Sequence, residues 1–341
     1  MKLSTLLTVL ITHLVTLQVV VQGINLNATK LTSQNDTVHL QAFQNVIPHY
    51  NGMLSNDLNN SNANIIGMER LKKTPFPPWL TEFTGITEWP GLNPPYIPLD
   101  FIDMAKIPNY ATYQQGNCDA NPREACSFDC DYCVEPDDVH TCYKLSQTFD
   151  DGPSPATERL LQHLRHRTTF FNLGINIVHY PDIYKKMIDK GHLVGTHTWS
   201  HEYLPSLSNE QIIAQIEWSV WAMNATGNHF PKWFRPPYGG IDNRVRSITR
   251  MFGLQAVLWD HDTFDWKLVA NDPSQSEGQI YRNVMDWMKT GRGLILEHDG
   301  AERTVDVAIN VYDIIGRDQL TVAECVGGAD YIRKFDYNGE L

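Results

Sequence analysis

The sequence predicts an α/β fold, a (β/α) barrel of about seven strands preceded by a Pro/Trp-rich arm and a disulfide-stapled loop. Three observations carry the prediction. Short apolar runs alternate with helical patterns beyond residue 142, residues able to do chemistry cluster at the C-terminal ends of those runs, and cysteines bracket the region.

The chain opens with Lys2, an apolar run over 6–21 and small or polar residues around Gly23, with no acidic residue, so 1–23 is expected to be a cleaved secretory signal peptide. Residues 24–73 are rich in Asn, Ser and Thr with no sustained hydrophobic period. They predict a disordered leader. Glycosylation sequons at Asn27, Asn35, Asn59 and Asn224 agree with passage through the secretory route. No second hydrophobic segment and no lipid-anchor tail are visible, so the expectation is a secreted chain without a membrane anchor. A formal charge of −12 argues against nucleic acid or an anionic membrane as partner.

Between 74 and 141, prolines interleave with Trp79, Phe83, Trp89, Tyr96 and Phe101. Proline withholds backbone donors and works against regular helix, while the aromatics need a surface to cover. An extended arm wrapped over the main domain fits this pattern, and an aromatic platform for sugar rings is the sharper alternative. The six cysteines, Cys118, Cys126, Cys130, Cys133, Cys142 and Cys325, form an even set. A small zinc knuckle is conceivable for the Cys126–Cys133 cluster, but an oxidising compartment favours disulfides. Pairing Cys142 with Cys325 would tie the chain ahead of the first strand to the chain after the last helix, leaving the other four to pair locally.

Within the domain 142–341, strands are expected at 145–149, 168–173, 192–196, 232–235, 254–259, 293–297 and 320–325. Ser154 with Pro155 signals a helix start, and Ser208 with Gln211 makes a capping box. Gly191 and Gly253 sit where helices should end. Ile212, Ile216 and Val220 give the helix after Ser208 a stripe to bury.

Three segments carry the chemistry: Thr148-Phe149-Asp150-Asp151-Gly152-Pro153, His197-Thr198-Trp199-Ser200-His201 and Leu296-Glu297-His298-Asp299. Histidines four apart are expected on one face of a helical turn, where both imidazoles reach one cation and a carboxylate completes a three-ligand site. Adjacent aspartates at a strand end diverge, so one can bind the cation while its neighbour accepts a proton. Each feature alone has an ordinary explanation, since Asp-Gly-Pro is common turn chemistry and one His-x3-His is a weak signal. Together with Arg235-Pro236-Pro237-Tyr238 and the stretch 262–266, each at the end of a different expected strand, they point to a metal-assisted hydrolase.

In order and content these motifs resemble the polysaccharide deacetylases with the NodB homology domain, carbohydrate esterase family four, over about 145–325. The arm, the Cys-Ser-Phe-Asp-Cys loop, and the stretches 224–246 and 259–266 are more narrowly similar to the secreted budding-yeast chitin deacetylases of sporulation. That resemblance implies a distorted barrel of NodB type and hydrolysis of N-acetyl groups of chitin, giving chitosan for the ascospore wall. It implies Asp151, His197 and His201 as ligands of a divalent metal, Zn2+ by donor set, with Co2+ as the alternative. Asp150 would be the base, tuned by Arg235, and His298 the acid, held by Asp262, with Asp265 the second choice. The Tyr238 N–H would meet the oxyanion, and Trp266 and Leu296 would wall the acetyl methyl. A monomer acting on chitin or its oligosaccharides is expected. Glu297 departs from the smaller or less polar residue common at that position, and strand alternation turns it away from the Leu296/His298 face. Deacetylation of peptidoglycan or xylan, and sugar binding on an inactive scaffold, are the competing functions.

Overall fold

The computed structural model describes residues 73–335. The expected signal peptide, the leader to residue 72, and Asn27, Asn35 and Asn59 lie outside the described residues. Residues 78–87 belong to a compact unit of their own, and contain the helix Pro78–Thr84. The prolines of the arm argue against regular helix, yet one forms here because Pro78 occupies the first helical position, where a backbone N–H has no intrahelical acceptor.

The main unit is built on a sheet. Its strands are β1 (Leu145–Asp150), β2 (Thr169–Asn172), β3 (Leu193–Thr196), β4 (His229–Pro231), β5 (Trp233–Phe234), β6 (Gln255–Ala256), β7 (His261–Asp262), β8 (Gly293–His298) and β9 (Tyr331–Lys334). Seven of them form one sheet in the order β6-β5-β3-β2-β1-β8-β7. Every pairing in it is parallel. β1, β2 and β3 are buried at every position, β1 even though Ser146, Gln147 and Thr148 lie within it. β4 and β9 pair antiparallel in a separate ribbon that the sequence pattern does not reveal.

The strand count agrees with expectation, but the membership differs. Residues 320–325 are no strand: Thr321 and Glu324 make a reciprocal capping box and start the helix Val322–Val326. The seventh strand is β7, a two-residue piece beside β8. The long strand expected over 254–259 shrinks to β6, and Val139 bridges the chain just beyond it. Val139 N–H donates to the Ala256 carbonyl (2.9 Å), and its own carbonyl accepts from Leu258 N–H (2.7 Å).

Helix boundaries follow the local signals. Ser154 caps Pro155–His163, with Thr157 closing a capping box, and Ser208 with Gln211 does the same for Asn209–Gly227. Gly191 and Gly253 adopt φ of +82° and +76° after Pro181–Asp189 and Asn243–Met251, a conformation other residues reach only with strain. Ile212, Ile213 and Ile216 of the helix Asn209–Gly227 pack with Phe234, Val245 and Ile248 in a fully buried cluster. Each such side chain contributes roughly 1.5–3 kcal/mol of transfer free energy. Asn224 lies in the final turn of that helix, partly buried. Among the described residues no helix is long and apolar enough to cross a membrane.

All six cysteines are paired: Cys118–Cys130, Cys126–Cys133 and Cys142–Cys325. The last ties the start of β1 to the helix Val322–Val326, inside which Cys325 sits rather than beyond it. It closes a loop with a sequence separation of 183, so the unfolded chain loses much conformational freedom when the bond is intact. Replacing both Cys142 and Cys325 with Ser should therefore lower the free energy of unfolding by about 2–5 kcal/mol. Urea denaturation followed by tryptophan fluorescence measures this, and an unchanged midpoint would refute the bond's role as the principal staple of the domain.

Candidate active site

Parallel register brings the chemistry to one end of the sheet. Asp150 pairs with His298 across β1 and β8, and with Phe171 across β1 and β2, while Thr196, just before His197, pairs with Phe234, just before Arg235. The base candidate, the acid candidate, a histidine and the arginine thus leave four strands at the same level.

The His197–His201 segment is not a helical turn. It is an irregular loop after β3 in which Thr198 and His201 take φ of +71° and +65°. The four-residue spacing succeeds because this loop, rather than a helix, turns both rings to one side, with centroids 4.9 Å apart. Asp151 (φ +78°) and Tyr238 (φ +61°) are likewise left-handed, so four non-glycine residues around one point hold strained backbone.

Asp151 Oδ1 lies 3.5 Å from His197 Nε2 and 3.3 Å from His201 Nε2, and it is buried without a hydrogen-bond partner. His197 Nδ1 meets the Arg235 carbonyl at 2.8 Å. A carbonyl only accepts, so Nδ1 carries the proton and Nε2 presents its lone pair. Burial lowers the pKa of His197 to about 3 and lowers that of His201 as well, keeping both rings neutral. Burial alone would raise Asp151, but His201, His298 and His197 together hold it below the ordinary carboxylate value. Two neutral imidazoles and a carboxylate oxygen, all within 4.8 Å of one another, are the state and donor set a divalent cation requires.

Asp150 accepts from Arg235 at 2.9 Å, and the same guanidinium nitrogen reaches Thr148 Oγ1 at 2.7 Å. Burial pushes the Asp150 carboxyl up to about 6, against the pull of Arg235 and His298. That is a workable value for a general base near neutrality.

The partner of His298 is Asp265, not Asp262. Asp265 Oδ1 is 2.6 Å from His298 Nδ1, and its Oδ2 accepts the His298 backbone N–H at 2.9 Å. Asp262 instead accepts from the Phe264 N–H at 2.7 Å. The chain turns at Phe264 (φ +52°), which brings Asp265, as cap of the helix Trp266–Val269, back under the imidazole. Burial disfavours the His298 cation, but the touching Asp265 carboxylate outweighs it and holds the pKa at about 10. Trp266 opens that helix and is half exposed, whereas Leu296 is buried on the same strand face as His298. Glu297 is buried on the other face, where it accepts from Gln147 Nε2 at 2.7 Å.

Asp299 lies in the third motif without a chemical role there. Its carboxylate accepts from Gly152 N–H (3.0 Å) and Thr157 Oγ1 (2.5 Å), anchoring the turn that follows Asp150 and Asp151. A Cβ on Gly152 would stand 2.2 Å from Asp299 Oδ2, so only glycine fits there. The motif contained Asp299, but nothing in its spacing announces a contact with residues 147 and 142 positions away.

Against this geometry the comparisons are decisive. Residues 138–257 match the polysaccharide deacetylase family model. The chain is 68% identical over 263 residues to chitin deacetylase 2 of Saccharomyces cerevisiae, covering 77% of this chain and 84% of that protein. The chain belongs to the polysaccharide deacetylase family. Chitin deacetylase 1 of the same yeast is 64% identical over 264 residues, covering 77% of this chain and 88% of that one. Among solved structures, the chitin deacetylase of Colletotrichum lindemuthianum superposes with a TM-score of 0.50 at 26% identity, covering 61% of this deacetylase and all of that chain.

Because the His298 pKa is raised, the cation's contribution to stability is complete below the free-histidine value of about 6.5 and disappears as pH rises through about 10. Activity that needs a protonated His298 should fall over the same alkaline limb. Asp265→Asn should move that limb towards neutrality, since burial then acts without the opposing charge, and Asp262→Asn should barely move it. A kcat/KM profile against pH for both variants decides the point, and the reverse ranking would restore Asp262 as the partner.

Proposed function

We propose that this protein hydrolyses the N-acetyl groups of N-acetylglucosamine residues in chitin, releasing acetate and leaving chitosan. The observation that carries the reading is a buried, arginine-paired carboxylate and an aspartate-bound histidine at the same end of the sheet as a two-histidine, one-aspartate cluster. The yeast relatives supply the substrate class, being named chitin deacetylases at 64–68% identity.

Asp151, His197 and His201 would hold a divalent metal, which would supply Lewis acidity. Asp150 takes the proton of the attacking water, with Arg235 aiming the carboxylate and favouring its anion. The backbone N–H of Tyr238 donates to the carbonyl oxygen as it gains charge. His298 passes its proton to the amide nitrogen as the C–N bond breaks, so the sugar leaves as an amine, and Asp265 stabilises the cation until that moment. Leu296 and Trp266 confine the acetyl methyl, which favours acetyl over longer acyl groups.

The donor set supports zinc, and cobalt suits the same ligands. The three disulfides support an oxidising compartment, and the reading extends to a secreted monomer of the spore or cell wall whose catalytic domain spans about 142–341.

Acetate release from chitin oligosaccharides should cease on chelation and return with zinc or cobalt. Persistent turnover in protein shown metal-free by elemental analysis would exclude the mechanism. Asp150→Asn should retain metal but lose activity by about 10²-fold or more. Loss of metal from that variant would mean that the two aspartates have exchanged roles.

His298→Ala should slow amide cleavage by roughly 10²–10⁴-fold and hydrolysis of an activated aryl acetate far less, because the aryl oxide departs without a proton. Equal slowing of both substrates in a folded, metal-containing variant would pass the acid's role to another residue.

A further inference from the structure

The loop that carries His197 and His201 has no ladder of its own. Besides bonds within the loop, with the Asn172–Ile175 segment and from His197 to the Arg235 carbonyl, two further partners hold its Trp199–Ser200 centre. The first is Gln215, buried in the helix Asn209–Gly227, whose Oε1 accepts from both Trp199 N–H (3.1 Å) and Ser200 N–H (2.9 Å). Its Nε2 donates to Ser200 Oγ (2.7 Å). The second is the chain ahead of the catalytic domain. Trp199 Nε1 donates to the Gly91 carbonyl (2.7 Å) and Ser200 Oγ to the Leu92 carbonyl (2.6 Å). The Trp89 indole stacks on that of Trp199, with centroids 6.1 Å apart and planes 21° apart.

The same stretch is pinned twice more, by Trp218 Nε1 to the Pro95 carbonyl (2.7 Å) and by Ile97 N–H to Glu217 Oε1 (2.9 Å). Pro94, Pro95 and Pro98 lack N–H groups and favour extended backbone, so nearby carbonyls stay available to outside donors. Trp199 and Ser200 are the two residues between the left-handed Thr198 and His201. Strained backbone of this kind persists only where surrounding contacts over-determine it.

We infer that residues 89–92 act as a clamp on the metal loop, and that Trp199 and Ser200 are positioning residues through which this upstream segment sets how tightly His197 and His201 hold the metal. The inference rests on the reading of Asp151, His197 and His201 as metal ligands. It places part of the metal centre's support outside residues 138–257, the stretch matched by the family model.

The test uses the full chain and reads zinc affinity by competition with a chromophoric chelator. Trp199→Phe keeps an aromatic ring and removes the donor to Gly91, and Ser200→Ala removes the donor to Leu92. Each should weaken zinc binding about tenfold or more, the range found when the partners that orient metal ligands are removed. Trp233→Phe is the matched control. It deletes an indole bond to the Ala329 carbonyl (3.2 Å) at the start of β5, the end of the strand away from the metal loop. It should lower the urea midpoint as Trp199→Phe does while leaving zinc affinity unchanged. Equal zinc affinity in the wild type, Trp199→Phe and Ser200→Ala, or equal weakening in Trp233→Phe, overturns the clamp. Failure of the wild type itself to bind zinc or cobalt overturns the metal-site reading, and the clamp with it.

Discussion

One buried ion pair organises the catalytic end of this protein. Arg235 is fully buried, and its guanidinium joins Asp150 and Thr148 on β1, the carbonyls of Val257 (3.4 Å) and Leu258 (3.3 Å), and the face of Phe171 on β2 at 4.2 Å. Its own carbonyl accepts from His197 Nδ1. A charge so deep in the sheet is tolerable only because every side of it is occupied by a partner. The same contacts that satisfy the arginine therefore orient Asp150, set the tautomer of His197, and bind together strands that are distant in sequence.

Electrostatics divides the labour between neighbours. Asp150 and Asp151 are adjacent, yet burial raises the first while the surrounding histidines hold the second down. His197, buried, and His298, partly buried, are both imidazoles near carboxylates, yet one stays neutral and the other stays cationic. The difference is contact: His298 shares a short hydrogen bond with Asp265, whereas His197 gives its proton to an uncharged carbonyl. Pairs of like groups pushed apart in this way are what hydrolysis of an amide needs, because the reaction calls for a proton acceptor and a proton donor at one pH.

The candidate site is legible in sequence wherever a residue's position depends on chain order and strand ends. Asp150, Asp151, His197, His201, Arg235 and His298 follow β1, β3, β5 and β8 or end them, and parallel pairing must gather such positions at one edge. The Ser208–Gln211 and Ser154 caps were equally legible, since capping is a local contest between a side chain and four unpaired N–H groups. Residues 320–325 misled because a short apolar run suits strand or helix, and the Thr321–Glu324 box decided it. β4 and β9 escaped notice because their pairing joins residues about a hundred positions apart with no hairpin signal between them.

The sequence by itself determined the reaction class, the parallel sheet and the identity of most residues gathered at the candidate site, because these follow from residue type and from periodicity along the chain. Only the tertiary structure decided between Asp262 and Asp265, both on the same short segment, by the left-handed turn at Phe264 that swings one carboxylate under His298. It also decided that His197 and His201 stand on a loop, that Asp299 anchors the aspartate turn, and that the carbonyls of residues 91 and 92 reach that loop. Contacts of this kind are settled by where backbone groups arrive after packing, and backbone groups carry no signature in the order of the side chains.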